Sequence, residues 1–389
     1  MMTLCDPPES QGSSKLPVEA DRPEGVPPLR SFYLYLTTCC NLKCRHCWVN
    51  PVYEGEVLKP DSYIDQADLG EAVKEGKTLG LSSVKLTGGE PTLHPHFREI
   101  VTFLTKEGLS LNMETNGTLV TSELARFLKD ESNVAFISVS IDSPDPAGHD
   151  RFRGVKGAYE RALSGLDNLV GAGYKNCQVI MTVHHGNRHQ MAELVELASD
   201  HGAGSVKFNH VTPTGRGANM HEKGEALSFS EYLEMVEYIN KELRPNSGIP
   251  VILLMPPALT PIEELPRTDG QCDDCGVAGV LGIMGNGDIA LCGIGQTVPE
   301  LTYGRLGVDS IREIWLHHPV IQGLRRDLRD VEGYPGICGS CIHAKSCHTG
   351  CVANNYVLNG SLVSPQWLCR EAEMAGVFPK TRMRSYTMG

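Results

Sequence analysis

The chain has 389 residues, of which 41% are hydrophobic and 21% charged, the ordinary balance of a globular protein long enough for two domains. Asp and Glu number 47 against 35 Lys and Arg, and the formal net charge of −12 argues against a general nucleic-acid or anionic-membrane binder. The first 30 residues lack the apolar core of a signal peptide, and no apolar run reaches the length of about 18 residues that marks a membrane span. We therefore expect a cytoplasmic protein with reduced cysteines.

Residues 1–30 are rich in Pro, Glu, Ser and Gly and are predicted to form a poorly ordered tail. After them, short apolar runs alternate with longer amphipathic ones. The predicted strands are Phe32–Leu36, Ser83–Leu86, Leu109–Met113, Ala135–Ile141, Cys177–Val183 and Ser205–Phe208. The predicted helices between them are Tyr63–Leu79, Phe97–Glu107, Ser122–Leu128, Ala158–Gly171 and His189–Ser199. This alternation predicts an α/β fold, and six units predict a partial (β/α)6 TIM-like barrel rather than a closed eightfold one.

The barrel is expected to cover residues 31–243 and to end in a helix over Ser230–Leu243, with Ser228 or Ser230 as its N-cap. Proline-rich residues 244–271 are predicted to be a linker. Residues 272–389 hold eight of the 14 cysteines and show weak periodicity, apart from a hairpin-like Ile283–Leu291 and a short helix near Ile311–Leu316. We expect a small, irregular domain there that metal clusters help to stabilise.

Three cysteines directly follow the first predicted strand: Cys40, Cys44 and Cys47 are separated by gaps of three and two residues. Iron–sulfur clusters normally take four cysteine ligands, so three leave an open coordination position for a small molecule. Structural zinc is an alternative, but zinc sites usually close with a nearby fourth ligand, and His46 is poorly placed for that role. A disulfide network is disfavoured without signs of secretion. The spacing therefore favours a reactive iron–sulfur cluster.

Gly88-Gly89-Glu90-Pro91 follows the next predicted strand of the sheet. The two glycines allow close approach of a ligand to the backbone, and the carboxylate can accept hydrogen bonds from an ammonium group. An ordinary strand-to-helix turn, with Pro91 near the helix start, is the alternative. The position one β/α unit after the cysteines favours a ligand site.

With both motifs in place, residues 32–211 resemble the radical S-adenosylmethionine (SAM) superfamily. The resemblance implies that Cys40, Cys44 and Cys47 hold a [4Fe–4S] cluster whose fourth iron is chelated by SAM, and that Gly88, Gly89, Glu90 and Pro91 hold its methionine amino group. Ser140-Ile141-Asp142-Ser143 and Arg153-Gly154 are similar to further family segments. The resemblance implies that Ser140 and Arg153 contact the ribose or carboxylate of SAM and that Val211 lines its adenine pocket. A solvated surface charge for Arg153 and a core position for Val211 are the alternatives.

The residue before the third cysteine is often aromatic in that family and packs on adenine. His46 stands at this position here and could still stack, or Trp48 could take the aromatic role.

A second cysteine group, Cys338-x2-Cys341-x5-Cys347-x3-Cys351 followed by Cys369, has Cys272, Cys275 and Cys292 upstream. This pattern resembles the SPASM extension of radical SAM enzymes, which implies two auxiliary [4Fe–4S] clusters. By position, the nearer cluster is assigned to Cys272, Cys275, Cys292 and Cys351. The farther cluster is assigned to Cys338, Cys341, Cys347 and Cys369. A pair of structural zinc sites is the alternative.

The resemblance implies reductive cleavage of SAM to a 5′-deoxyadenosyl radical that abstracts hydrogen from a substrate. Relatives with this extension mostly modify peptides or proteins, for example by crosslinking or epimerisation, and a smaller group acts on porphyrins or other small molecules. Sulfatase-activating relatives carry an Asp where this chain has Gly293, which argues against formylglycine formation. No catalytic acid or base is singled out by the sequence.

We therefore expect a peptide or protein substrate. The leader is too short and polar for a peptide-recognition domain, so any such domain would be a separate protein. A reductase such as flavodoxin or ferredoxin is the expected electron donor, and neither nucleic acid nor a membrane is an expected partner. Haem, tetrapyrrole or other small-molecule biosynthesis is the alternative, and a non-enzymatic electron carrier is a weaker one, because an electron carrier has no use for a SAM-binding loop.

Overall fold

A computed structural model describes residues 22–53, 62–262, 264–265 and 276–385. The chain divides into two compact units. The barrel unit contains Pro28–Leu253 and Val280–Arg312, and the C-terminal unit contains Leu254–Gly279 and Glu313–Gly389 together with the N-terminal residues up to Pro27. Residues 1–21 of the predicted disordered tail lie outside the described residues. Its last part is ordered, since Leu29 is fully buried and its N–H donates to the Leu79 carbonyl at 3.1 Å.

The barrel unit is organised around one ten-stranded sheet and a separate pair of two-residue strands. The strands are β1 Ser31–Tyr35, β2 Cys39–Cys40, β3 Val52–Tyr53, β4 Ser83–Thr87, β5 Ser110–Thr115, β6 Val134–Ser140, β7 Gln178–Val183, β8 Ser205–His210, β9 Val251–Leu253, β10 Val280–Ile283, β11 Asp288–Ala290 and β12 Thr302–Arg305. The order in the large sheet is β12-β11-β10-β1-β4-β5-β6-β7-β8-β9. Every neighbouring pair from β10 to β9 is parallel, whereas β11 and β12 are added antiparallel.

Helices connect these strands, and the predicted alternation of strands and helices is confirmed. The helices of this part of the chain are α1 Gln66–Thr78, α2 Phe97–Lys106, α3 Ser122–Asp130, α4 Pro146–Arg153, α5 Ala158–Gly171, α6 Met191–Asp200, α7 Arg216–Glu222, α8 Phe229–Tyr238 and α9 Arg244–Asn246. Side chains cap several of them, as Asp65 does for α1 and Thr121 for α3. Ser228 caps α8 and forms a capping box with Glu231, which confirms Ser228 over Ser230 as the N-cap.

Along β1 and β4, successive side chains alternate between a buried face and a partly accessible face of the sheet. On β1 and β4, the side chains of Phe32, Leu34 and Leu86 are fully buried, while Tyr33 and Lys85 on the opposite face are partly accessible. Helices α2, α3, α5 and α6 pack on the strands of this sheet. The apolar core therefore lies between sheet and helices, and the other face of the curved sheet lines a lumen.

The two units do not follow the boundaries expected from the sequence. The hairpin predicted over Ile283–Leu291 is present as β10 and β11, but β10 pairs in parallel with β1, with Ser31 opposite Val280. This pairing attaches residues 280–312 to the barrel sheet. Within the proline-rich stretch, the sequence missed β9, which pairs with β8 and extends the other end of the sheet.

The C-terminal unit is more helical than its weak sequence periodicity suggested. Its helices, the first of which begins in the barrel unit, are α10 Ile311–His317, α11 Pro319–Arg329, α12 Ile337–Ser340, α13 Ala344–Cys347, α14 Val352–Asn359 and α15 Trp367–Met374. Helix α10 confirms the short helix predicted near Ile311–Leu316. Helix α11, which the sequence analysis missed, buries Ile321, Leu324 and Leu328 on one face. The described helices include none that is both long enough and apolar enough to cross a membrane.

Candidate functional site

The cysteine loop, residues 39–47, begins where β1 ends. Its first two residues form β2, which pairs with β3. Cys40, Cys44 and Cys47 pack in one cluster with Leu42 and Ala158, and all three are free thiols. The structure thus brings together the three cysteines that the spacing selected.

The environment of two of these thiols disfavours the thiolate form when no cation is bound. Burial raises the pKa of Cys40 far above its usual range, and neighbouring Cys44 and Glu90 raise it further. Burial likewise raises the pKa of Cys44, although Arg153 opposes the rise. A cysteine binds a metal as the thiolate, so a bound cation would have to stabilise the thiolate form in this environment.

Hydrogen-bond donors already surround the sulfur atoms. The Leu42 N–H lies 3.4 Å from Cys40 Sγ, the Asn116 amide 3.9 Å from the same sulfur, and Arg153 Nη1 3.6 Å from Cys44 Sγ. Such bonds help to tune iron–sulfur clusters. Among the described residues, no three Cys, His, Asp or Glu side chains are placed to share one metal ion. A four-iron cluster does not require this, because each thiolate binds a different iron, so the donor set fits such a cluster.

The Gly-Gly-Glu-Pro loop lies directly against the cysteine loop. Gly89 N–H donates to the Thr37 carbonyl at 3.0 Å, and Glu90 N–H donates to the Cys39 carbonyl at 2.8 Å. A Cβ atom on Gly89 would overlap the Cys39 carbonyl group, and Gly88 has a φ of +133°. The glycines are therefore needed for the contact between the two loops, a reason that the sequence analysis did not identify.

Glu90 is a buried carboxylate, 1% exposed, held by four donors. Oε1 accepts from the hydroxyls of Thr92 and Thr115, each at 2.7 Å, and more weakly from the Thr92 N–H. Oε2 accepts from Asn116 N–H at 2.8 Å. Burial raises the pKa of Glu90 although these bonds oppose the rise. The next residue, Pro91, is buried at the start of the short 3-10 helix Pro91–Leu93. The hydrogen bonds to the side chain and the buried backbone after it together fix the position of the Glu90 carboxylate.

Arg153 is buried, and its alternative interpretation as a solvated surface charge is wrong. The side chains of Arg153 and Asp142 are 8% and 1% exposed, and Nε lies 2.5 Å from Oδ2. The contact is an ion pair without an aligned hydrogen bond. Burial is the largest single effect and disfavours the charged form of Asp142, but the neighbouring basic groups, Arg153 first among them, and the Thr182 N–H together outweigh it and lower the pKa. Because the Arg153 carbonyl also accepts from Lys43 N–H at 2.9 Å, this residue braces the cysteine loop.

His46 belongs to a three-ring stack. Its ring lies 4.4 Å from that of Phe152 at an interplanar angle of 8°, and Phe152 stacks on His184, also at 4.4 Å. Burial lowers the pKa of His46 to about 3, so the ring is neutral. Trp48 instead meets Tyr35 edge-on at 6.2 Å. The sequence analysis missed Phe152 and His184, which come from separate segments.

The two remaining predicted SAM contacts lie at the carboxyl ends of strands. Ser140 is the last residue of β6, half-buried and paired with Ile180 on β7. Val211 follows β8, is 2% exposed and packs with Phe152 and Met220. Val211 therefore has a core position, next to the ring stack that includes His46.

The lumen of the barrel is polar. Strand register aligns Tyr33 with Lys85, and Lys85 with Asn112. Lys85 Nζ lies 2.5 Å from Glu114 Oε1, and their side chains are 30% and 41% exposed. Burial disfavours the charged form of Glu114, but Lys85 and Lys207 lower its pKa overall. Closed barrels fill their interior with branched aliphatic side chains, whereas this face of the sheet carries accessible polar groups.

Gly293 leaves no room for a side chain. A Cβ atom there would overlap the Tyr35 hydroxyl and approach the Trp48 ring. Tyr35 is 3% exposed, and burial raises its pKa well above the usual range, so its hydroxyl stays protonated. Tyr35 thus occupies the space that a carboxylate side chain directly after Cys292 would need.

In the C-terminal unit, a small pocket is lined by cysteines. Four of its lining residues are the predicted ligands of the farther auxiliary cluster: Cys338, Cys341, Cys347 and Cys369. Burial raises the pKa of Cys338 to about 12, and His343 N–H lies 3.4 Å from Cys341 Sγ.

Of the other predicted auxiliary ligands, Cys292 follows β11 in the barrel unit and Cys351 precedes α14 in the C-terminal unit. Cys272 and Cys275 lie outside the described residues.

Comparison with known proteins identifies the family of this chain. Residues 34–198 match the profile of the radical SAM superfamily. The chain is 30% identical over 363 residues to an AdoMet-dependent heme synthase of Nitratidesulfovibrio vulgaris, covering 89% of this chain and 93% of the relative. It is 25% identical over 358 residues to the mycofactocin maturase MftC of Mycolicibacterium smegmatis, covering 91% and 86%.

The fold resembles that of Streptococcus suis SuiB bound to its precursor peptide SuiA, with a TM-score of 0.66 at 17% identity over 89% of this chain and 76% of SuiB. The chain belongs to the radical SAM superfamily and is an enzyme. Its cysteine-rich C-terminal region places it among the SPASM-type members. The electron-carrier alternative is therefore not retained.

Proposed function

We propose that this radical SAM enzyme abstracts hydrogen from a peptide or protein and so introduces a post-translational modification. When SAM and its cluster are bound, they supply a 5′-deoxyadenosyl radical. The polypeptide supplies ligands, orientation and exclusion of water.

Each part of SAM has residues suited to it. Cys40, Cys44 and Cys47 would hold the cluster, and the Glu90 carboxylate, with Gly88, Gly89 and Pro91, would hold the methionine amino group. The buried and rigidly bonded Glu90 supports this, since a fixed carboxylate binds an ammonium group without reorganising. His46, Ser140, Arg153 and Val211 would border the rest of SAM.

The cysteine-lined pocket supports a fully ligated auxiliary cluster on Cys338, Cys341, Cys347 and Cys369. The spacing of Cys272, Cys275, Cys292 and Cys351 supports the second one.

The polar lumen is the observation that favours a peptide. Hydroxyl, amide and charged groups lie side by side on one face of the sheet, from Tyr33, Lys85, Asn112 and Glu114. A peptide backbone needs donors and acceptors of this kind, whereas the flat face of a tetrapyrrole needs apolar surface. The relative MftC is a maturase, and SuiB binds a precursor peptide. With no carboxylate after Cys292, a crosslink or an epimerisation is favoured over formylglycine formation.

A tetrapyrrole is the second candidate substrate. The observation that favours it is the higher identity to heme synthases, 30% against 25% for the maturase. In this case Lys85 and Lys207 would pair with carboxylate side chains of the macrocycle.

The test is turnover of both substrate classes by the same reduced enzyme. Peptides encoded by neighbouring genes and an iron porphyrin carrying carboxylates are incubated separately with SAM and analysed by mass spectrometry. We expect a peptide product lighter by two hydrogens, or one of unchanged mass with an inverted residue. Asn112→Ala in the lumen should raise KM for the peptide. Turnover of the porphyrin alone would show that the peptide proposal is wrong.

A further inference from the structure

The backbone between Cys347 and Cys351 is left-handed over three consecutive residues. His348, Thr349 and Gly350 have φ values of +48°, +65° and +73°. Glycine adopts this region readily, whereas a β-branched residue there is a steric outlier. In the described part of the chain, no other β-branched residue has a positive φ. Thr349 is therefore held in a costly conformation that a glycine at the same position would adopt freely.

A buried amide holds Thr349 in this conformation. Asn355 is 1% exposed, and its Nδ2 donates to the Thr349 carbonyl at 3.0 Å, to Thr349 Oγ1 at 3.3 Å and to the Ser364 carbonyl at 2.9 Å. Gly350 N–H donates to the Cys347 carbonyl at 2.8 Å and closes the turn. Strained residues persist only where the surrounding contacts fix them, and they cluster at functional sites. What threonine adds here over an unstrained glycine is its side chain with a hydroxyl group.

Thr349 lines the cysteine-lined pocket of the C-terminal unit, together with the four cysteines assigned to the farther auxiliary cluster. The residue is 1% exposed, so its polar groups are withdrawn from bulk water. Apart from the cysteines, the described lining of this pocket is apolar except for Thr349 and His343. A hydroxyl in such surroundings needs a partner inside the pocket.

Thr349 keeps two hydrogen-bond donors for that partner. Among the bonds found in the described ranges, its hydroxyl accepts from Asn355 but donates to no acceptor, and its backbone N–H has no acceptor either. Because the Asn355 amide donates to Oγ1, the hydroxyl proton points away from Asn355. Buried donors are normally hydrogen-bonded, so the missing partner is an acceptor. Thiolate and sulfide sulfur atoms of an iron–sulfur cluster are acceptors of this kind.

We propose that the Thr349 hydroxyl donates a hydrogen bond to a sulfur atom of the auxiliary cluster on Cys338, Cys341, Cys347 and Cys369, and so raises the reduction potential of that cluster. The inference rests on the proposed function, in which these four cysteines hold a cluster. Reduction by one electron makes a cluster more negative, and a hydrogen bond to sulfur stabilises the more negative state.

Other donors at this site come from the backbone. His343 N–H lies 3.4 Å from Cys341 Sγ, and a hydrogen bond from the Gln366 backbone lowers the pKa of Cys338, although burial raises it overall. Substitution leaves such backbone donors in place. The Thr349 hydroxyl can be removed by a single change, so its effect on the cluster can be measured separately.

Three substitutions separate the hydroxyl from the backbone strain. Thr349→Val keeps the branched shape without the hydroxyl, Thr349→Ser keeps the hydroxyl, and Thr349→Gly removes the hydroxyl and relieves the strain. Thr381→Val makes the first change at an exposed threonine of the same unit and is the matched control. Iron content is measured on each anaerobically loaded protein, and the midpoint potentials of its clusters are measured by redox titration monitored by electron paramagnetic resonance.

We expect one midpoint potential to fall in Thr349→Val and in Thr349→Gly while the others stay in place. The expected shift is about a tenfold drop in the ratio of reduced to oxidised cluster at a fixed potential, or about 59 mV for a one-electron couple. Thr349→Ser and Thr381→Val should match the unmodified protein. Thr349→Gly keeps the test available if the strained Thr349→Val protein does not take up its iron.

Unchanged midpoint potentials in Thr349→Gly would overturn the inference, because this variant lacks the hydroxyl without added strain. An equal fall in Thr349→Ser would also overturn it, since the effect would then come from the packing of the methyl group. Full iron content in Cys341→Ala would contradict the cluster assignment itself, and this inference with it, whereas a fully loaded protein with unmoved potentials would contradict the role of Thr349 alone.

Discussion

Replacing Asp142 by Asn should destabilise the cluster-free protein by about 3–5 kcal/mol, because it leaves the buried Arg153 charge without its partner. At a separation of 2.5 Å and an effective dielectric of about 20, the attraction is about 6–7 kcal/mol, part of which offsets desolvation. Asn keeps the shape of the side chain and can still accept from Thr182 N–H, which binds Oδ1 at 2.8 Å. Its Nδ2 then replaces Oδ2 opposite Arg153 Nε, so the variant removes both the negative charge and the acceptor that face the guanidinium.

The assay is urea unfolding of anaerobic, reduced apoprotein at neutral pH, with Glu107→Gln as the matched control. Glu107 pairs with Lys77 at 2.8 Å, but both side chains are more than a third exposed, so its loss should cost less than about 1 kcal/mol. A cost for Asp142→Asn no larger than the control would refute the reasoning.

The same pair predicts a pH dependence. Arg153 lowers the pKa of Asp142 in the folded state, so the stabilisation is present above the unfolded pKa of about 3.9 and is lost as the pH falls through the folded value. The difference in unfolding free energy between the unmodified protein and Asp142→Asn should therefore shrink below about pH 4.

Substitutions at four further positions have defined outcomes. Gly89→Ala should lower both iron content and SAM binding by separating the two loops, while Gly171→Ala, at an open helical position, should leave both unchanged in the same anaerobic assays. Gly293→Ala should lower the melting temperature by several degrees because its methyl group overlaps the Tyr35 hydroxyl, and an unchanged melting curve would contradict the packing. Cys341→Ala or Cys347→Ala should lower iron content and solubility together, and a soluble variant with full iron would contradict the cysteine-lined pocket as a cluster site.

The strands of the barrel were predictable because each buries one face against helices. Runs such as those over β1 and β7 carry enough apolar residues to be found locally. The pairing of β10 with β1 was not predictable in this way, because it joins residues about 250 positions apart and leaves no mark in the local pattern. Lys85 and Glu114 gave no signal either, since charged residues in a strand are more typical of a solvated face than of a lumen.

For the site, spacing alone selected Cys40, Cys44 and Cys47, because ligands on one short loop are close in sequence as well as in space. The environment of Arg153 depends on Asp142 at the end of β6, and the stack on His46 depends on Phe152 and His184. Such contacts join separate segments, so only the folded chain reveals them.

Iron content and SAM cleavage, measured on the same anaerobic preparation, test the central claim most directly. The unmodified protein should carry about twelve irons in three four-iron clusters and cleave SAM with dithionite. The triple variant Cys40→Ala, Cys44→Ala and Cys47→Ala should carry about eight irons and cleave none. Full SAM cleavage by the triple variant would contradict the assignment of the cysteine loop as the catalytic cluster site.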